Sequence, residues 1–178
     1  VKRLKELGLT EIIVWNNKAK PIKSATKNIV SATNVGSIGR YYISLHTQKP
    51  YILIVDDDHM LTRSGLTALR VWAAKYPAVL QCGAVFNPPF KRYFDRKVIK
   101  SHQVKAPRKV DLVLPYGGLL IPTELCRRLL NHWAWKFKEA VRPGFIATDL
   151  AVSCAILDLT GQHAVVVPSN GNGMEQLH

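Results

Sequence analysis

Three adjacent carboxylates, Asp56, Asp57 and Asp58, close the apolar run Tyr51-Ile52-Leu53-Ile54-Val55 and are followed by His59. Short aliphatic and β-branched runs form buried strands, and open α/β sheets receive their ligands at the carboxyl ends of such strands. Neighbouring like charges repel and raise one another's pKa, so a triplet in this position calls for a cationic partner. A hard divalent cation bound through oxygen meets that demand and brings metal or phosphate-metal chemistry with it. A plainer use exists for the same residues, as carboxylates in a solvated turn that cap the helix patterned by Leu61, Leu66 and Leu69.

The elements that must hold the triplet alternate along the chain. Residues 2–7 read as the end of a helix closed by Gly8, residues 11–15 as a strand, and Asn16-Asn17 as a turn. Residues 27–30 give a second strand, residues 37–46 a helix leading into the Asp-bearing strand, and residues 62–75 the clearest amphipathic helix. Residues 78–80 begin another strand and residues 110–114 a further one ahead of Gly117-Gly118. Helices follow over 122–131, with Pro122 in an early turn, and over 148–159, stopped by Gly161, and residues 163–167 read as the last strand. This alternation predicts an α/β fold with a mostly parallel central sheet flanked by helices, and the length fits one domain over residues 1–178.

Twenty-five Lys and Arg against twelve Asp and Glu give a net charge of +13, which points to an anionic partner: a nucleoside diphosphate, a nucleic acid or an acidic surface. The basic residues concentrate in residues 87–109, where Lys91, Arg92, Arg96, Lys97, Lys100, Lys105, Arg108 and Lys109 interleave with Phe90, Tyr93 and Phe94. Such a segment can grip single-stranded nucleic acid, but it carries no nucleic-acid motif, and nucleic acid is not the expected partner. The favoured reading is a solvated excursion with its aromatics packed beneath; an acceptor-binding flap is a third use. Cys82, Cys126 and Cys154 form no paired motif and read as buried thiols. No run approaches the roughly 20 apolar residues of a membrane span. The chain opens on Val1 rather than Met, so an upstream segment, with any targeting signal on it, is expected to have been lost.

The order Ile12-Ile13-Val14-Trp15-Asn16-Asn17, then Asn34 and Arg40 ahead of Ile52-Leu53-Ile54-Val55-Asp56-Asp57-Asp58, then Gly117-Gly118 and Thr148-Asp149-Leu150-Ala151, resembles a GT-A fold glycosyltransferase. The likeness is to the exostosin-like glycosyltransferases and related small viral or algal enzymes. It spans most of the chain and is strongest at the WNN and DDD segments.

The resemblance implies roles for individual residues. Asp58 would coordinate Mn²⁺, or Mg²⁺, bound to the donor diphosphate, with Asp56 and Asp57 near ribose and sugar; Asp56 is a second candidate ligand. The cation would stabilise charge on the departing diphosphate. Asn16 and Asn17 would end the strand that borders the nucleotide, although their other use is ordinary turn formation. Asn34 and Arg40 would contact base and diphosphate, while Arg40 also suits a surface helix. Asp149 would face the reacting sugar as base or as stabiliser of a cationic transition state, or would simply cap a helix. The family carries an acidic pair here, and Thr148 replaces its first member. Gly117 and Gly118 suit close backbone approach to a sugar or a tight turn after Pro115. His178 is a candidate metal ligand on a late loop or a frayed terminus; His59 could reach the metal, although alternation along the strand end more simply points it away from Asp58. Trp133, Trp135 and Phe137 could line an acceptor cleft or join the core.

Family members open with a strand that holds the base, whereas this chain starts in what reads as the following helix. The sheet is therefore expected to lack its first strand, leaving an open edge beside residues 12–14, and the fragment to bind donor weakly or not turn over. The expected activity is metal-dependent transfer of a sugar from a nucleoside diphosphate donor, UDP-linked by resemblance, to a carbohydrate acceptor. A sugar-phosphate nucleotidyltransferase would use a similar sheet and carboxylates and should show a Gly-rich, Lys/Arg-bearing triphosphate loop near its start, a region expected to be missing here. A non-catalytic basic nucleic-acid module is the other alternative. Sugar, acceptor, stereochemistry, compartment and oligomeric state stay open.

Overall fold

The computed structural model describes residues 1–17, 20–89, 92–136, 148–171 and 173–176. The chain opens with α1 (Lys2–Glu6), after which Gly8 takes a positive φ of 82° and turns it toward β1 (Ile13–Asn17) and β2 (Lys27–Ser31). A short helical run contains α2 (Gly39–Tyr42), then β3 (Tyr51–Ile54), β4 (His59–Leu61) and α3 (Arg63–Trp72) follow. The next segment alternates strands with short 3-10 turns: β5 (Val79–Leu80), β6 (Cys82–Val85), β7 (Lys97–Lys100), β8 (Arg108–Lys109), β9 (Leu112–Val113) and β10 (Leu119–Pro122). The described chain then closes with α4 (Thr123–Leu130), α5 (Thr148–Thr160), β11 (Val165–Val166) and β12 (Met174–Gln176).

The central sheet has the order β3-β10-β5-β11-β8. Successive strand residues face opposite sides: Ile52, Ile54, Leu80, Leu119, Ile121 and Val166 enter one buried cluster, and Val79, Leu120 and Val165 another, with Leu53 packed against it. Leu125 and Leu129 of α4 and Val152 and Ile156 of α5 cover the first face, while Leu66 and Leu69 of α3 cover the second. The result is helix, sheet, helix, the α/β layering the alternation predicts.

The sheet is mixed rather than mostly parallel. β10 runs antiparallel to both β3 and β5, β11 runs parallel to β5 and antiparallel to β8, and β1 with β2 forms a separate parallel pair. A parallel sheet needs a helical crossover between strands, and α3 supplies one between β3 and β5. No α-helix separates β5 from β10 in the described chain; hairpin strands fill that interval, and the chain enters β10 in the opposite sense. Strand β10 itself is not among the expected elements, because Gly118 and Pro122 bracket so short an apolar run. Residues 37–46 form not one helix but 3-10 turns on either side of α2. At Gly39 the Trp15 ring lies so close that it leaves no room for a Cβ.

The Asp-bearing half is tied down by Thr62, whose side chain caps α3 by accepting from the Gly65 amide at 3.1 Å. Antiparallel pairing of β4 with β12 adds a second tie. On the other side, among the described residues, β1 pairs only with β2 and β3 only with β10. A cavity of about 640 Å³ lies beside both, lined by Ile12 and Ile13, by Tyr51, Ile52 and Leu53, and by Leu66 of α3. The three cysteines are free; Cys82 and Cys126 are buried as expected, whereas Cys154 is exposed.

Candidate functional site

The aspartate triplet stands in the turn between β3 and β4, just past the strand's carboxyl end. The Asp56 amide donates to the Tyr116 carbonyl at 3.2 Å and the Asp56 carbonyl accepts from the His59 amide at 3.4 Å, which fixes the turn. The three carboxylates differ. Asp56 is half-buried, and its Oδ1 lies 2.7 Å from Nη1 of Arg40, whose Nε donates to the Ser37 carbonyl at 3.1 Å. Burial raises the Asp56 carboxyl above its ordinary pKa, and Arg40 opposes that rise. Asp57 and Asp58 are exposed.

His59 does not turn away from Asp58: its Nδ1 lies 2.7 Å from Asp58 Oδ1, and this hydrogen bond holds the Asp58 carboxyl below its usual range. Strand alternation cannot predict that contact, because the strand has already ended at Ile54. The His59 ring also stacks against Tyr116, centroid to centroid at 4.6 Å.

Asp149 lies in the first turn of α5 and accepts a hydrogen bond from the Tyr93 hydroxyl at 3.1 Å. Burial, chiefly, pushes the Tyr93 hydroxyl up to about 12, so it remains a donor at neutral pH. Burial also raises the Asp149 carboxyl, opposed by Tyr93, Arg40 and Arg96, while the charge of Asp56 adds to the rise. Asp149 and Asp56 thus share one electrostatic neighbourhood, with an arginine on each flank. Thr148, which replaces the family's first acid, is buried and its hydroxyl meets that of Ser37 at 2.5 Å. This bond ties the start of α5 to the turn before α2.

Of the other expected donor-binding residues, Asn16 and Asn17 do end β1, but as paired strand residues rather than a turn. Asn16 donates to the Asn28 side chain at 3.2 Å, and Asn17 bridges the Val35 amide and the Gly36 carbonyl, both at 3.2 Å. Two asparagines without turn geometry are explained by these side-chain bonds, which stitch β1 to β2 and to the following loop. Asn34 is exposed and accepts from the Gly36 amide at 2.8 Å. Gly117 and Gly118 are buried against the protein itself: a Cβ at Gly117 would collide with Met174 Sδ, and Gly118 takes a φ of 123° that favours glycine. Trp135 packs in the core against Tyr41, while Trp133 is about half exposed. His178 and Phe137, like Phe90 and Lys91, lie outside the described residues.

Three residues at the site are not among its expected members in the sequence reading. Arg96 lies with its guanidinium carbon 4.1 Å from the Tyr93 ring centroid and 5.3 Å from that of Phe94. Tyr93 bonds Asp149, and Tyr116 bonds Cys82 across 2.9 Å. The signal for the first two was the interleaving of basic and aromatic residues in 87–109. That segment is less of a loop than expected, since β7 pairs with β6 and β8 with β11, and Phe94 is 79% exposed rather than tucked beneath.

Among the described residues no group of three His, Cys, Asp or Glu side chains is placed to hold a metal ion. Asp56, the second expected ligand, is paired with Arg40 in this structure. Asp57 and Asp58 nevertheless fit a substrate-completed site: both are exposed oxygen donors without a salt bridge to lysine or arginine among the described residues. Mg²⁺ is held in this way, by one or two carboxylates, water and substrate phosphates. Among the described residues no helix is long and apolar enough to cross a membrane.

No family model matches the chain, and none of the curated proteins matches it. Among solved structures, the fold is similar to that of 2-C-methyl-D-erythritol 4-phosphate cytidylyltransferase from Thermus thermophilus, with a TM-score of 0.54 and 14% sequence identity. The likeness covers 99% of this chain and 79% of that one. It supports a mixed α/β fold similar to that of this enzyme, and at this identity it speaks to the fold alone.

Proposed function

We propose that the chain is a metal-dependent glycosyltransferase domain that moves a sugar from a nucleoside diphosphate donor, UDP-linked, to a carbohydrate acceptor, as its resemblance to the exostosin-like enzymes implies. The observation that carries this reading is the convergence at the carboxyl end of β3: Asp56, next in the chain to exposed Asp57 and Asp58, acts electrostatically on a half-buried, arginine-flanked Asp149. Asp57 and Asp58 would hold Mn²⁺ or Mg²⁺ on the diphosphate, and the cation would supply Lewis-acid stabilisation of the leaving group. Asp149, with a raised pKa and partly shielded from water, suits a proton acceptor for an acceptor hydroxyl or a counter-charge to a developing oxocarbenium. Arg40 would act indirectly, by holding Asp56 and the turn that presents Asp57 and Asp58.

The test is calorimetric titration of UDP into the protein with and without Mn²⁺, in parallel on Asp58→Asn. Binding that requires the cation and disappears in the variant supports the reading; cation-independent binding that survives in Asp58→Asn sinks it. A second reading, a sugar-phosphate nucleotidyltransferase, is favoured by the structural likeness to a cytidylyltransferase. Incubation with nucleoside triphosphates and sugar phosphates separates the two, because only that reaction releases pyrophosphate.

A further inference from the structure

Two arginines flank the site and differ in what they already hold. Arg40 is committed within the protein, its Nη1 to Asp56 and its Nε to the Ser37 carbonyl. Arg96 makes no salt bridge among the described residues; its Nη1 donates to the Tyr93 carbonyl at 3.0 Å, and its Nε is buried without a hydrogen-bond partner among them. A guanidinium presents five N–H donors in a rigid fork, and a buried donor left without an acceptor is costly unless something accepts from it in the working state. The Tyr93 ring, 4.1 Å away, holds the plane of that fork, so little side-chain freedom remains to be lost on binding. Tyr93 in turn is anchored by its hydroxyl on Asp149, which sets Arg96 beside the carboxylate expected to face the reacting sugar. The strand that follows, β7, adds exposed Lys97 and Lys100, positive charge that draws in anions.

We propose that Arg96, rather than Arg40, is the residue that takes the substrate's anionic group at this site, donating to a phosphate oxygen of the nucleoside diphosphate. This rests on the nucleoside-diphosphate reading above and adds to it the residue that reads the charge. Arg96 is a binding residue for the leaving diphosphate, and the fork geometry distinguishes it from the point charges of the neighbouring lysines.

The experiment compares UDP with uridine on the wild-type chain, Arg96→Met and Arg96→Lys at saturating Mn²⁺, with affinities from calorimetry for UDP and from saturation-transfer NMR for uridine. Arg96→Met should weaken UDP about tenfold to a hundredfold and leave uridine unchanged, the range expected for losing a hydrogen bond to a charged group. Arg96→Lys should fall between the two. Thermal melts that coincide for all three proteins establish that the fold is intact. Equal UDP affinity in wild type and Arg96→Met overturns the proposal, and so does an equal loss for UDP and uridine. If Asp58→Asn abolishes UDP binding while Arg96→Met does not, only the assignment of Arg96 fails. If the wild-type chain binds no nucleoside diphosphate, the functional reading fails and this inference with it.

Discussion

The site contains two arginine–aspartate arrangements built on opposite sides, one closed and one held open. On the β3 side Arg40 and Asp56 are in direct contact at 2.7 Å, and each largely cancels the other. On the α5 side a phenol stands between the partners: the Tyr93 hydroxyl bonds Asp149 while its ring carries Arg96. The same residue types therefore serve different ends. A direct pair fixes a turn, whereas a pair separated by tyrosine keeps an anion and a cation both able to act on a third molecule. On the proposed reading, the Arg40–Asp56 pair serves structure and Asp149 serves proton transfer or charge stabilisation.

The most severe way to break it is Asp149→Asn. If that carboxylate performs proton transfer, turnover of a UDP-sugar should fall about 10²- to 10⁴-fold, read as UDP release. Folding should move the other way. Burial raises the Asp149 pKa, so the native state holds its proton at pH values where the unfolded chain has lost it. The wild-type contribution is fullest below the ordinary carboxyl pKa and declines as pH rises through the raised value. Asparagine has no such decline, so the stability of Asp149→Asn relative to wild type should grow as the pH rises from about 4 toward 7, measured by urea denaturation. A variant equally active at neutral pH would move the chemistry off the α5 side.

Next in size is Arg40→Met, which leaves Asp56 half-buried without its cation. Removing one member of a partly buried pair should cost about 1–3 kcal/mol of stability, more than an exposed pair and less than a fully buried one. The denaturation midpoint reads this directly. UDP affinity should fall only as far as the Asp57–Asp58 turn loosens, and a loss of binding with unchanged stability would reverse the roles assigned to the two sides.

How far the sequence alone reached follows the same division. The β3 side was readable because an apolar run ending in acids is a local pattern, and β3, α3 and α5 lie within a few residues of where periodicity and glycine stops put them. The pairing of β10 between β3 and β5 was not readable, since antiparallel insertion depends on how the chain returns after β7 and β9 rather than on any residue in β10. Asn16 and Asn17 read as a turn because their amide side chains suit one, yet the partners that keep them in β1, Asn28, Val35 and Gly36, are 12 to 19 residues away. Arg96 and Tyr93 were visible only as composition. Their joining to Asp149 spans 56 residues of sequence, beyond any local signal.

Smaller effects sharpen the contrast on the open side. Tyr93→Phe keeps the ring under Arg96 but removes the donor to Asp149, a bond that lowers the carboxyl pKa. Its loss lets burial raise that pKa further, so the acid limb of the pH–rate profile should move to higher pH while stability drops by about 1 kcal/mol. An unchanged profile would mean that Asp149 does not titrate in the rate-determining step.

Phe94→Ala should have the smallest consequence and isolates what holds Arg96. Phe94 is 79% exposed and its ring centroid lies 5.3 Å from the guanidinium, farther than that of Tyr93 at 4.1 Å. An exposed cation–π contact contributes about 0.5–1 kcal/mol, so UDP affinity should fall roughly twofold to fivefold through looser placement of the fork, with folding unaffected. Combining Phe94→Ala with Arg96→Met then decides the route. If Phe94 acts only by steadying Arg96, the double variant binds UDP as Arg96→Met does; if the two losses add in free energy, Phe94 meets the ligand on its own account, and the exposed ring rather than the guanidinium marks the edge of the site.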